Sequence, residues 1–220
     1  MTDPMIQCFY DIPVSPKVDT VLIRLGGRKN APLDTGFLRM LEEGMKRGKI
    51  LCHPTGVYLR LKISERTPDF ILLENGTHFQ SKSLSRLLQN CEETVLMAAT
   101  VGSEVVDAIM DEVNHQDAAR GMILDAVASQ TTDGILDWMM EYLDAMLAKK
   151  GRKLTKHRYS PGYGDLPLVY QQSVFNALNL NKLGLKLTEK YMLVPEKSVI
   201  AITGIEAKGK KYNDGQDCFS

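Results

Sequence analysis

The sequence predicts an α+β fold, a mixed or antiparallel twisted sheet with flanking helices, and three observations carry that expectation. Asn75-Gly76 sits between two short apolar runs, a strong hairpin-turn signal. Residues 94–101 form a continuous apolar stretch ending at Gly102, the pattern of a buried strand. A long helical pattern then covers residues 117–150. Helices mixed with hairpin-connected strands, with no internal repeat, point to α+β rather than alternating parallel units.

Taken in chain order, residues 18–25 and 36–47 carry apolar side chains at helical spacing. Val18, Leu22 and Leu25 share one face, and Phe37, Leu38, Leu41 and Met45 another. The turn-rich stretch 26–34 separates them. Residues 49–52 read as the approach to a strand-rich region, in which the alternation over 57–63 predicts a half-buried strand. Residues 69–73 and 77–79 form the arms of the hairpin, and 84–88 a short helix. After the apolar strand, Gly102 leads into a helix over 104–113. Strand, glycine, helix is the outline of a phosphate-binding turn, and equally of a plain tight connection. In the long helix, Lys149 and Lys150 suit the C-terminal end of the dipole, and Gly134 marks a candidate bend. Residues 151–170 have no period and are rich in Gly, Pro and Tyr. A helix over 171–178 and a strand region over 198–205 close the fold, and the tail 208–220 reads as frayed. The organisation expected is a single domain over 1–220, with residues 1–80 a possible subdomain.

Composition excludes several classes. Lys and Arg total 27, as do Asp and Glu, so no net field gathers nucleic acid or an anionic membrane. The longest apolar runs fall far short of the ~20 residues that span a bilayer, and the N-terminus does not read as a secretory signal. The expectation is a soluble, cytoplasmic protein. Cys8, Cys52, Cys91 and Cys218 lie far apart with no C-x-x-C pair, and are read as reduced thiols, three of them in apolar surroundings. His53, His78, His115 and His157 are equally scattered, so no metal site is written in the spacing.

The segment richest in chemistry is Arg158-Tyr159-Ser160-Pro161-Gly162-Tyr163-Gly164-Asp165. It is a loop downstream of a long helix. Pro161 stiffens it, two glycines let backbone approach another group, and two tyrosines offer flat faces with polar tips. Arg158 presents a planar fork for a carboxylate or phosphate. On these residues alone, a structured loop with Arg158 in a salt bridge and a ligand-binding loop both remain open.

Arg158-x-x-x-Gly162-Tyr163 resembles the signature of the activation domain of cobalamin-dependent methionine synthase. The continuation through Gly164-Asp165-Leu166-Pro167 is similar to stand-alone members of that family. Leu187-Thr188-Glu189 with Met192, Pro195, Lys197, Ser198 and Val199 resembles the family's C-terminal stretch. Ala98-Ala99-Thr100-Val101-Gly102 with Glu104 and Val105, and Ile12-Pro13-Val14-Ser15-Pro16, resemble two further hallmarks. The resemblance implies a site for S-adenosylmethionine. Within it Arg158 pairs with the ligand carboxylate, backbone near Ser160 and Gly162 reads ligand edges, and Tyr163 packs on the ligand. The family takes an acid for the ligand ammonium from the preceding helix. Asp137 matches it by position, an Asp where the family has Glu, and Glu141 lies one turn later on the same face. Asp11 is the candidate for a second acid near the domain's beginning. Where the family carries a tyrosine after the last strand motif, this chain has Gly204-Ile205-Glu206.

The activity implied is reductive reactivation of cobalamin. An electron from flavodoxin or ferredoxin, coupled to methyl transfer from S-adenosylmethionine, restores the methylated cofactor. Positioning is the main lever required, because cobalt is itself the nucleophile, and no catalytic base is nominated. The sequence has no Asp-x-His-x-x-Gly for ligating cobalt and no G-x-G-x-x-G. Corrinoid and electron are therefore expected from partners: a corrinoid-binding protein or methionine synthase subunit, and the electron donor. The alternative expectation is a non-catalytic docking module for a corrinoid protein that does not use S-adenosylmethionine.

Overall fold

The computed structural model describes residues 5–27 and 34–207; the tail expected to fray lies outside them. The elements in order are β1 (Gln7–Phe9), α1 (Val18–Arg24), α2 (Thr35–Leu51), β2 (Thr55–Arg66), β3 (Phe70–Leu73) and β4 (His78–Gln80). Then come α3 (Lys82–Leu87), β5 (Cys91–Thr100), α4 (Glu104–Asn114), α5 (Ala118–Ala148) and β6 (Arg152–Leu154). The chain ends through α6 (Tyr170–Ala177), a 3-10 turn (Leu180–Leu183), β7 (Lys186–Leu187), β8 (Leu193–Val194) and β9 (Ser198–Ala207).

Seven described strands form one sheet, six in the order β4-β3-β2-β5-β9-β6 and the seventh, β1, paired beside β2, and every pairing is antiparallel. β2 is long enough to serve two partners on one edge. Its first half pairs with β1, its last residues with β3, while the other edge takes β5 over residues 55–62. The α+β architecture expected from the sequence is the one found, with an antiparallel sheet.

Alternation along the strands divides the apolar side chains between two cores. Val57, Leu59, Leu61, Leu96, Ala98, Ile200 and Ile202 face a layer made by α3, α6 and the loop containing Leu166. Tyr58, Val95, Met97, Ala99 and Ala201 face α5 through Leu136, Met139 and Leu143. Both faces of β2 are covered at its start, so Val57, Tyr58 and Leu59 of the strand expected to be half-buried are all buried, whereas beyond them the expected alternation holds, with Leu61 buried and Lys62 exposed. Cover on both faces is also why β5 reads as an unbroken apolar run. α5 is apolar on more than one side for the same reason. Its other flank packs against α1 and α2 through Ile123, Ala126 and Val127.

α2 starts at Asp34, whose carboxylate accepts from the amides of Gly36 and Phe37, a standard N-cap. It continues through Leu51, so Lys49, Ile50 and Leu51 are the last turn of a helix rather than the approach to a strand. Gly44 and Gly48, one turn apart, face α5. A β-carbon at either would lie 2.4 Å from a methyl group of Ile123 or Val127, so the missing side chains set how closely the helices approach. β1, β6 and the β7–β8 hairpin were not expected; strands of two or three residues leave no period to read. Cys52 and Cys91 are buried free thiols, which burial pushes up to about 11 and about 12. Both are therefore protonated and inert at neutral pH. Cys8 is exposed on β1, against the expectation of three apolar sites, and Cys218 lies outside the described residues.

Gly204 in β9 makes a specific stability test. A β-carbon there would sit 2.3 Å from Cys91 Sγ and 2.6 Å from Leu88 Cδ2. Gly204→Ala is expected to lower stability by about 1–3 kcal/mol through overpacking. Adding Cys91→Ala should return part of that loss, a non-additivity visible in urea midpoints.

Candidate functional site

The site grows from an interruption in the outer edge of the sheet. After β6, the chain follows β9 without regular pairing until Tyr159, whose amide and carbonyl both bond Ile202, at 2.8 and 2.7 Å. The buried Thr155 holds the interruption together. Its hydroxyl lies 2.7 Å from that of Thr203 and 2.8 Å from the His157 carbonyl, and it accepts from the Gly204 amide at 3.1 Å. Strand alternation then turns Tyr159 toward the α3–α6 layer, where it packs on the first core, while Arg158 points the other way, to α5.

Arg158 meets Asp137 of α5 there. Its Nη1 donates to Asp137 Oδ1. Two residues 21 positions apart, nominated for the two opposite charges on the amino-acid end of one ligand, are thus brought together as partners of each other. The Asp137 carboxylate is 64% exposed and the Arg158 side chain 28%, so the pair is worth only about 0–1 kcal/mol. It is readily opened. Glu141 lies one turn further along α5 and is exposed.

Asp11 is exposed, with a left-handed backbone at φ 52°. It lies in a segment that runs antiparallel to α5. Phe9 packs edge-on to Trp138 and Tyr142, Ile12 is in the α5-side core, and Val14 lies beside Gly134. Asp11 itself forms no hydrogen bond or ion pair with Arg158 or Asp137, whose partners are each other.

The loop itself is tightly wound. Gly162, at φ 97°, donates its amide to the Leu166 carbonyl at 2.8 Å, and the Tyr163 amide reaches the Ser160 carbonyl at 3.2 Å. Both of these amides are spent inside the loop, whereas the Ser160 and Gly164 amides have no hydrogen-bond partner among the described residues. The Tyr163 ring stands 70% exposed, open to a planar partner. Gly164 is obligatory: φ is 51°, and a β-carbon would lie 2.1 Å from the Tyr159 hydroxyl.

Asp165 fastens the loop to the hairpin side of the molecule. Its carboxylate accepts from the Ser81 hydroxyl at 2.7 Å, the Lys82 amide at 2.7 Å and the Ser83 amide at 3.3 Å. Burial works against its charge, but the bonds from Ser81 and Ser83 outweigh that and hold the carboxyl below its ordinary range. Sequence reasoning quoted Asp165 within the motif but assigned it no part. Ser81 as the cap of α3 is legible locally; a partner 84 residues away is not.

Where the family places a tyrosine, Gly204, Ile205 and Glu206 are all within β9 and buried, with Glu206 3.4 Å from Lys153. Among the described residues no His, Cys, Asp and Glu cluster could hold a metal ion. No described helix is long and apolar enough to cross a membrane.

No protein-family model matches the sequence, and no curated protein matches it. Among solved structures, the crystal structure of the MetH reactivation domain bound to AdoHcy is similar with a TM-score of 0.66. The match has 15% sequence identity and covers 94% of this chain and 80% of that one. At that identity the likeness is one of fold, and it is the fold that the sequence resemblance led us to expect.

The clamp at Asp165 has a defined pH dependence. A lowered folded pKa contributes stability that is complete above the unfolded value of about 3.9 and lost as pH falls through the folded value. Asp165→Ala should lower stability at pH 7 by roughly 1 kcal/mol, the scale of a capping interaction. The gap between variant and parent should close toward pH 3 in urea titrations at the two pH values.

Proposed function

We propose that this chain binds S-adenosylmethionine between the 158–165 loop and α5. There it supports reductive methylation of a corrinoid cofactor carried by a partner, either a methionine synthase subunit or another corrinoid methyltransferase, with flavodoxin or ferredoxin supplying the electron. One observation carries the reading: Arg158 and Asp137 form an accessible pair of opposite charges at the start of a loop that carries an exposed tyrosine, on a fold shared with a domain crystallised with AdoHcy.

The amino-acid end of S-adenosylmethionine is a zwitterion. Inserting it between Arg158 and Asp137 replaces one exposed ion pair with two charge-assisted contacts. Opening the pair costs at most about 1 kcal/mol, whereas a hydrogen bond to a charged group contributes about 1.5–3 kcal/mol. The exchange is favourable. Glu141, exposed one turn on, is the second acid within the same helical face, and the loop that begins at Arg158 carries Ser160 and the exposed Tyr163 as further candidate contacts. Asp11, on the segment that packs along α5, is the further acid this reading assigns to the ligand. The bound ligand supplies an activated methyl group; the protein's part is to hold it in place, since positioning alone shortens the path to reaction.

Calorimetric titration with S-adenosylmethionine and S-adenosylhomocysteine tests this. One site per chain is expected. Arg158→Ala should weaken binding by at least ~1.5–3 kcal/mol, and Arg158→Lys should recover only part, lacking the fork. Asp137→Asn should cost more than Glu141→Gln; the reverse order would move the ammonium contact one turn along α5. Folded wild-type protein that gives no heat with millimolar ligand removes the S-adenosylmethionine reading and leaves the docking module. Mixed with free cob(II)alamin, a reductant and S-adenosylmethionine, the protein should give little methylated product. Adding the cognate corrinoid protein should make the reaction saturable in both proteins.

A further inference from the structure

We propose that the depression between the end of β2 and α3 is a second binding site, for a small phosphate-bearing anion. Arg66, Asp69, Lys82, Ser85, Arg86 and Gln89 line it, and its volume is about 510 Å³. Small-molecule sites run from about 300 to 1,000 Å³. It is separate from the Arg158–Asp137 pair, and its argument does not depend on S-adenosylmethionine.

Charge comes first. Three cations face one carboxylate, and that carboxylate, Asp69, is only loosely engaged by Lys82 at 3.7 Å. Neither Arg66 nor Arg86 forms an ion pair with any described residue. Geometry comes second. Arg66 is not a free-swinging surface arginine: its Nη1 donates to the carbonyls of Leu88 and Cys91, both at 2.7 Å. One nitrogen anchors the guanidinium to the turn between α3 and β5, and Nε and Nη2 remain as a preset pair of donors for two oxygens.

The third observation is Ser85. It is only 3% exposed, and its hydroxyl has no hydrogen-bond partner among the described residues. Buried hydroxyls are almost always satisfied, and Ser85 lies on the wall of this depression. A phosphate dianion offers three strong acceptor oxygens. Fixed guanidinium donors, a mobile ammonium, an unspent hydroxyl and the Gln89 amide match that acceptor set better than they match an apolar or cationic ligand. The concave shape favours a compact anion over the flat face of an acidic protein.

Inorganic phosphate and pyrophosphate are the probes, titrated calorimetrically into the full chain at low salt and again at 0.15 M. One saturable site with a sub-millimolar Kd is expected for pyrophosphate, weakening with salt because surface charges are screened over about 8 Å there. Arg86→Gln and Lys82→Gln should each weaken it about tenfold, the loss of one charge-assisted contact. Ser85→Ala should weaken it too while leaving thermal stability unchanged or raised, because it deletes an unsatisfied hydroxyl from a helix. A merely structural serine would not separate those two readouts. Arg158→Ala should leave pyrophosphate binding intact even if it abolishes S-adenosylmethionine binding. The proposal is overturned by no saturable binding up to about 10 mM at low salt, where nonspecific charge attraction is strongest. Binding indifferent to Arg86 and Ser85 overturns it equally.

Discussion

The ladder between β5 and β9 is the constraint on which the rest depends. These two ten-residue strands pair antiparallel over nearly their whole length, from Thr100↔Ser198 to Cys91↔Glu206. Because both of their faces are covered, a one-residue slip of either strand would exchange all of that strand's side chains between the two cores. A slip of β9 would turn Ile202 to α5 and Ala201 to the α3–α6 layer, against the unchanged faces of Leu96 and Met97. The register is therefore fixed twice over, and with it the heights at which the flanking elements sit. Gly204 belongs to this arrangement, since the space of its absent side chain holds Cys91 and Leu88.

The candidate site is a consequence of how that ladder ends. β6 covers only the last residues of β9, and beyond it Thr155 takes the place of regular pairing. The interruption frees the chain to leave the sheet at Tyr159 in a loop while preserving alternation, so that Arg158 is delivered to α5 and Tyr159 to the opposite layer. The loop is then held at its far end by Asp165 on the start of α3 and by the Tyr170 hydroxyl on the Gln80 amide. Rigid anchors with exposed side chains between them suit a binding surface better than a core.

Much of this was legible in the sequence, and the reasons are physical. α1, α2, α4 and α5 showed in helical spacing, β5 and β9 in apolar runs, and the hairpin in Asn75-Gly76. The strand boundary at Lys49 was misplaced because its apolar neighbours Ile50 and Leu51 suit a strand as well as the end of a helix. β6 and β7–β8 escaped because two or three residues carry no periodicity; the neighbouring strand defines them. For the site, Arg158 and Asp137 were named from family resemblance, and the structure brings them into contact with each other. The Asp165 clamp joins residues remote in the chain, and no local pattern encodes such a contact.

The Thr155 arrangement and the Asp165 clamp also determine how this protein can be dissected. The loop of interest occupies eight positions, but its shape is set by Ser81, Lys82, Asp137, Ile202 and Thr203, spread over more than half the chain. A synthetic peptide of residues 158–165 would carry the motif without its geometry. A truncation that removed the hairpin and α3 would spare every nominated residue except Asp11 and still release the loop at Asp165. The smallest object with the properties described above is the intact sheet with both of its helical layers, and the loop has no transferable identity apart from it.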